Sequence, residues 1–237
     1  MSYRALDGDS VALTIEKLCR RVEHRFPESG LAHVVRELDV LAEHAKERAE
    51  WIQRPILGLR IGVGVLLVLL AAVLISSIFA MHAPQEPLRL GEFIQVLEAG
   101  SNEVVLVGAA VFFLLSAEKR VKRRRALAAL HELRSIAHVI DMHQLTKDPE
   151  WILGRGQETG VLPPRTMSRF ELSRYLDYCS EGLSLTAKIA ALYAQHFEDD
   201  VSLQAVNEVE ALTTGFSRKI WQKLMILHTA GERGSAP

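Results

Sequence analysis

The sequence predicts an all-α membrane protein, with two transmembrane helices attached to a cytoplasmic helical bundle made of an N-terminal helical hairpin and a C-terminal three-helix bundle with a coiled-coil-like hairpin. Three observations carry this reading. Of 237 residues, 49% are apolar and 24% charged, and the mean hydropathy is +0.10, which is high for a soluble chain. The excess is concentrated in 56–80, ILGLRIGVGVLLVLLAAVLISSIFA, with one charge, and in 104–115, VVLVGAAVFFLL, with none. Elsewhere the apolar residues recur at helical rather than strand spacing. This composition excludes a wholly soluble globule, a disordered chain and a disulfide-rich module, and it names no reaction.

Residues 1–55 read as two amphipathic helices. Val11, Ile15, Leu18, Cys19, Val22 and Phe26 hold helical spacing behind Asp9 and Ser10, which can cap, and Pro27–Gly30 interrupts the pattern. Leu31, Val34, Val35, Leu38, Leu41, Ala42, Ala45, Ala49 and Ile52 resume it, so the segment is a hairpin whose second arm leads into the first span.

The span 56–80 is 25 residues, roughly 37 Å of helix at ~1.5 Å per residue, enough for a hydrocarbon core of about 30 Å. Pro55 suits its first turn, Arg60 can snorkel, and Trp51 suits an interface. No cleavable signal precedes it, so it acts as its own insertion signal. The second span, 104–118, is short and gains length if its helix starts near 93. In that case Gln95, Glu98 and Asn102 form a polar stripe that has to face protein or water.

Charge sets the expected orientation. Residues 81–103, the external segment, carry Arg89 against Glu86, Glu92, Glu98 and Glu103, whereas six of the seven residues 119–125 are basic. The positive-inside rule then places both termini in the cytoplasm, with a bacterial plasma membrane as the expected location. Cys19 and Cys179 fall on the reducing side and read as small apolar packing residues.

Past the second span, Val121, Leu127, Leu130, Leu133, Ile136 and Ile140 extend an apolar face through a cytoplasmic helix over 119–147. Residues 148–167 are a Gly/Pro-rich loop. Ser168 and Glu171 form a capping box that opens a hairpin over 168–229, followed by a tail, 230–237. Leu172, Leu176, Cys179, Leu183, Thr186, Ala190, Tyr193 and Phe197 alternate steps of four and three, a seam of the bundle kind. Val209, Leu212, Phe216, Ile220, Leu224 and Leu227 face it from the partner helix.

HELRS, His131–Ser135, resembles the phosphoacceptor box of sensor histidine kinases, which implies His131 as the phosphorylated imidazole and Glu132 as its catalytic neighbour. The resemblance covers five residues and departs at Ile136, where a proline usually follows. The chain also lacks the glycine-rich boxes of an ATP-binding domain, so the activity is not carried over and a helix surface is the reading kept.

His131, His138 and His143 with Asp141 are the metal-ligand candidates. His131 and His138 share a face, but Asp141 and His143 point about 160° apart around a helix, and HExxH and paired ExxH motifs are lacking. The expectation is no metal and no cofactor, with interhelical hydrogen bonding or a pH-sensitive contact as the use of these histidines.

Lys119, Arg120, Lys122, Arg123, Arg124 and Arg125 read as a stop-transfer and topology signal that also attracts anionic lipid, at about 1 kcal/mol per charge. A site beside a like-charged membrane excludes nucleic acid. Gly58, Gly62 and Gly108 mark close helix–helix packing, and the polar stripe calls for self-association.

The function expected is therefore that of a non-enzymatic, homo-oligomeric, membrane-anchored scaffold or signalling adaptor. Its partners would be membrane lipid, further copies of the chain and a cytoplasmic protein. The alternative is a homo-oligomeric, cation-selective channel whose second span lines the pore, with Glu98, Asn102 and Glu103 at its outer mouth.

Overall fold

The computed structural model describes residues 5–81, 90–149, 167–195 and 199–234. Seven helices occur among them: α1 (Gly8–Arg25), α2 (Gly30–Glu43), α3 (Ala45–Gln53), α4 (Leu57–Met81), α5 (Leu90–Leu145), α6 (Arg169–Ala194) and α7 (Asp200–Gly234). No strand is present among the described residues. Most of the expected loop, 150–166, lies outside them, as do residues 82–89 of the expected external segment.

The chain divides into two bodies, Met1–Gln53 with Arg125–Pro237, and Arg54–Arg124. In the first, the cap of α1 lies two residues before the first expected one, Asp9. Asp7, not Asp9 or Ser10, is the cap: it accepts from the Ser10 hydroxyl at 2.6 Å and the Ser10 amide at 3.2 Å, and the hydroxyl bond first, then the backbone bonds, hold its carboxyl below the usual range. Asp9 instead pairs with Lys46 at 2.8 Å. Ser29 caps α2 by accepting from the Ala32 amide at 3.1 Å. The long second arm of the expected hairpin breaks at His44, whose Nδ1 donates to the Val40 carbonyl at 3.0 Å, and α3 resumes the same face with Ala45 and Ile52 buried.

The Ser168–Glu171 capping box forms in both directions, at 3.2 and 2.7 Å, and the bonds lower the Glu171 carboxyl. All seven described members of the α6 seam, Leu172 to Tyr193, are buried; Phe197 lies outside the described residues. Asp199 starts α7 by accepting from the Ser202 amide and hydroxyl at 3.0 and 2.9 Å.

The sequence reading separates an N-terminal hairpin from a C-terminal bundle, whereas the structure merges them in one apolar core. The helices run up and down. Phe26 meets Tyr175 edge-on at 5.3 Å and Arg21 pairs with Glu181, so α1 and α6 are antiparallel. Arg134–Glu208, His138–Phe216 and Lys223–Gln144 advance together along α5 and α7, which are parallel. Helix α6 is the centre, since it packs on α1, α2, α3 and α7 and brings Gly182 against Ile140 of α5. A Leu or Ile buried there contributes about 1.5–3 kcal/mol.

The buried face of α5 keeps Leu130, Leu133 and Ile140 of the expected one and differs at the other positions. It runs Ala126, Leu130, Leu133, Ala137, Ile140, Gln144, in steps of four and three, while Leu127 and Ile136 are only half-buried and Val121 is exposed. The small side chains of Ala126 and Ala137 let neighbouring helices approach closely.

In the second body, α4 is apolar on every side, and Leu57, Ile61, Val65, Val68 and Phe79 are all exposed. One stretch, Ala45–Val73, is long and apolar enough to cross a membrane, and none of its apolar window is buried within the chain. Helix α5 is 56 residues long, roughly 84 Å at ~1.5 Å per residue, and its first part also exposes Leu97, Val105, Leu106, Phe112 and Phe113.

Candidate functional site

Two sets of charged and aromatic side chains stand out near the sequence positions where the chain passes between its bodies. The first lies within the helical core. Arg125 places its guanidinium over the Trp51 ring, 4.3 Å from the centroid, and donates to the Trp51 carbonyl at 3.2 Å. Arg48 makes a two-pronged pair with Glu132 at 2.6 and 2.7 Å, which strengthens the protonated guanidinium. The buried Tyr193 hydroxyl sits beside this pair, and desolvation pushes its phenol up.

The second set lies within the apolar body. Arg60 of α4 donates to both carboxylate oxygens of Glu118 on α5, each at 3.3 Å, and Lys122 approaches the same carboxylate at 2.9 Å. Leu59, Arg60, Val63, Leu114 and Glu118 line a crevice of about 270 Å³. The other basic residues divide. Lys119, Arg120 and Arg124 are exposed, Arg123 is half-buried, and Arg120 lies 6.0 Å from the Phe113 ring centroid.

Glu98 and Asn102 stand one turn apart on α5, both exposed; Glu103 is in the same helix, its side chain outside the described residues. Around Gly58, Gly62 and Gly108 an added Cβ would meet no atom of the described residues within 4 Å, so among those residues these glycines serve no close approach.

The histidines do not converge. His131 is exposed and its carbonyl accepts from the Ser135 hydroxyl at 3.0 Å. His138 is exposed and edge-on to Phe216 at 5.4 Å. His143 packs against Gly30 at the start of α2, where burial, then Lys147 and His33, hold its imidazole below the usual value. No group of three or more potential metal ligands occurs among the described residues. Within HELRS, Glu132 and Arg134 tie α5 to its neighbours through Arg48 and Glu208. Both cysteines are buried, which pushes Cys19 up to about 11 and Cys179 to about 12, so neither is a thiolate near neutrality.

Sequence reading misses one polar cluster. Lys223 of α7 donates to the carbonyls of Gln144 and Lys147, at 2.6 and 3.0 Å, at the end of α5. Burial lowers its ammonium value. The buried Gln144 amide donates to Asp141 at 2.7 Å, while its own Oε1 has no partner among the described residues. Polar residues at helical core positions carry no hydrophobic signal, so a Lys capping a distant helix could be found only from the fold.

Set against protein-family models, curated proteins and solved structures, the chain matches none of them.

Proposed function

We propose that the protein is a two-pass membrane-anchored helical scaffold or signalling adaptor that self-associates. The observation that carries this reading is closure: residues before and after the apolar body share one core, and Trp51 and Arg125, which bracket that body, touch. A segment that leaves a folded core and re-enters it at the same point crosses a bilayer an even number of times. Two crossings, by α4 and by the uncharged run Val104–Leu115 of α5, then put both termini on one side. The basic run at the end of the second crossing makes that side cytoplasmic.

Two further features support self-association. Glu98 and Asn102 are exposed on α5 just ahead of the uncharged run Val104–Leu115, and among the described residues the surfaces at Gly58, Gly62 and Gly108 are open to a neighbour. In the core, Trp221 at 63% exposure and Met225 at 43%, one turn apart on α7, offer an apolar contact for a cytoplasmic protein. The shared face of Glu98 and Asn102 also favours a second reading, a cation-conducting oligomer.

The test is topology and stoichiometry together. Gln85→Cys should react with a membrane-impermeant maleimide on sealed cells, and Ser235→Cys only after permeabilisation, with little background from the two buried native thiols. Labelling of Ser235→Cys on sealed cells would defeat the reading, as would a strict monomer in mild detergent. Cation flux into liposomes that Glu98→Gln abolishes would replace the scaffold by the channel.

A further inference from the structure

We propose that the crevice between α4 and α5 is a binding site for one anionic phospholipid, its phosphate on Arg60 and one acyl chain against Leu59, Val63 and Leu114. This rests on the membrane-spanning reading of α4 and α5 and adds to it a specific ligand.

The chemistry of the lining divides as an amphiphile does. Three aliphatic side chains form one wall and a charged pair forms the rim. At about 270 Å³ the crevice is smaller than the roughly 300–1,000 Å³ of a site that encloses a whole ligand, which suits a stretch of one chain.

The rim is not neutral. Glu118 is 13% exposed and faces two cations, Lys122 at 2.9 Å and Arg60 at 3.3 Å. Lys122, 15% exposed and one turn along the same helix, already neutralises the carboxylate at the shorter distance. Arg60 holds the carboxylate by two long contacts and is 59% exposed. One positive charge is therefore left on a planar, fork-shaped donor at the edge of an apolar crevice. Glu118 takes the Nε and Nη2 edge, and the second edge, Nη1 with the other Nη2 hydrogen, offers a phosphodiester two parallel hydrogen bonds. Exposed Lys119, Arg120 and Arg124 raise the local concentration of anionic headgroups without lining the crevice.

The experiment uses the full-length protein in mild detergent, titrated with phosphatidylglycerol or phosphatidylcholine, with bound lipid counted by native mass spectrometry. One cation near the surface favours an anionic headgroup by about 1 kcal/mol, roughly fivefold. Wild type should therefore prefer phosphatidylglycerol at least that strongly, and Arg60→Gln should bring the two lipids to parity. Val63→Trp keeps every charge but fills the crevice, and should abolish retention of both lipids. Arg124→Gln should change the preference less than twofold. The site is refuted if Arg60→Gln keeps the preference, or if Arg124→Gln loses as much of it, since diffuse attraction to the basic run then suffices. It is equally refuted if millimolar inorganic phosphate displaces the lipid, which would make it a free-anion site. Flotation with mixed vesicles separates the two levels: a chain that floats without lipid preference loses only the site, and a chain that does not float loses the membrane reading as well.

Discussion

The guanidinium of Arg125 stacks on the indole of Trp51 at 4.3 Å and donates to that residue's own carbonyl at 3.2 Å, so one side chain grips both the ring and the backbone of a residue 74 positions earlier. A stacked cation contributes about 0.5–1 kcal/mol where exposed, and a charged donor to a carbonyl about 1.5–3 kcal/mol before screening. Trp51 is 45% exposed, which places the stack at the lower end. Trp51→Ala and Arg125→Ala are each expected to lower the stability of the core by about 1 kcal/mol, and the double variant by clearly less than the sum. Urea unfolding in detergent, followed by helix ellipticity, measures this. Strict additivity would show that the two residues act independently.

At the other end of the core, Lys223 ties α7 to the last turn of α5. Its ammonium donates to the Lys147 carbonyl at 3.0 Å and shares the Gln144 carbonyl with the Lys147 amide, closing the end of α5. Lys223→Met keeps most of the stem and removes the donors. Taking the donor from the partly buried Lys147 carbonyl costs about 1–3 kcal/mol, while Gln144 keeps its bond from the Lys147 amide, and the loss is offset by no longer burying a charge. A net loss of about 1–2 kcal/mol is expected, with faster amide exchange confined to 141–147. Unchanged exchange there would mean that the lysine holds nothing.

How far the fold was legible follows from residue type. The α6 seam is readable because Leu172, Leu176 and Leu183 are large and recur at heptad steps, and the core buries them. The seam of α5 is half read: Leu130, Leu133 and Ile140 are buried as expected, but Ala126, Ala137 and Gln144 fill its other three positions, and Leu127 and Ile136 outweigh them on any scale of apolarity. Capping boxes are local and the one at Ser168 forms as expected, whereas α1 is capped by Asp7, and Asp9, already in its first turn, pairs with Lys46 from α3. Of the candidate sites, the basic run and Glu98 with Asn102 are visible in composition. The Arg60–Glu118 pair is not, because its partners are 58 positions apart and nothing local marks them.

His143 gives the core a pH dependence of defined sign. Its folded-state value lies below the ordinary 6.5 through burial first, then Lys147 of its own helix and His33 of α2. Above about pH 6.5 the imidazole is neutral whether the chain is folded or not, and its contribution is constant. As the pH falls below that, the unfolded chain takes up the proton first and stability declines, until the folded value is passed and the decline ends. Wild type should therefore lose more thermal stability between about pH 7 and pH 5.5 than His143→Gln does. Equal losses in the two proteins would assign the pH dependence to other groups.

The same imidazole explains why a glycine opens α2. A Cβ on Gly30 would fall inside the His143 ring, closer than atoms approach, whereas one on Gly182 would meet only the end of Ile140 at 3.3 Å. The ring has to move for Gly30→Ala and the Ile140 side chain has only to give slightly for Gly182→Ala. Overpacking of the first kind costs about 1–3 kcal/mol, against which a helical Gly→Ala change recovers up to about 1 kcal/mol. Gly30→Ala is expected to destabilise the core by about 1–2 kcal/mol, Gly182→Ala by less, and Gly30→Ala on a His143→Ala background hardly at all. Gly58→Ala and Gly62→Ala, with open space around them, should leave unfolding of the single chain unchanged and act only on association between copies. Thermal unfolding of the five variants decides the matter, and a Gly30→Ala loss that survives removal of the imidazole would place the strain in the α2 backbone instead.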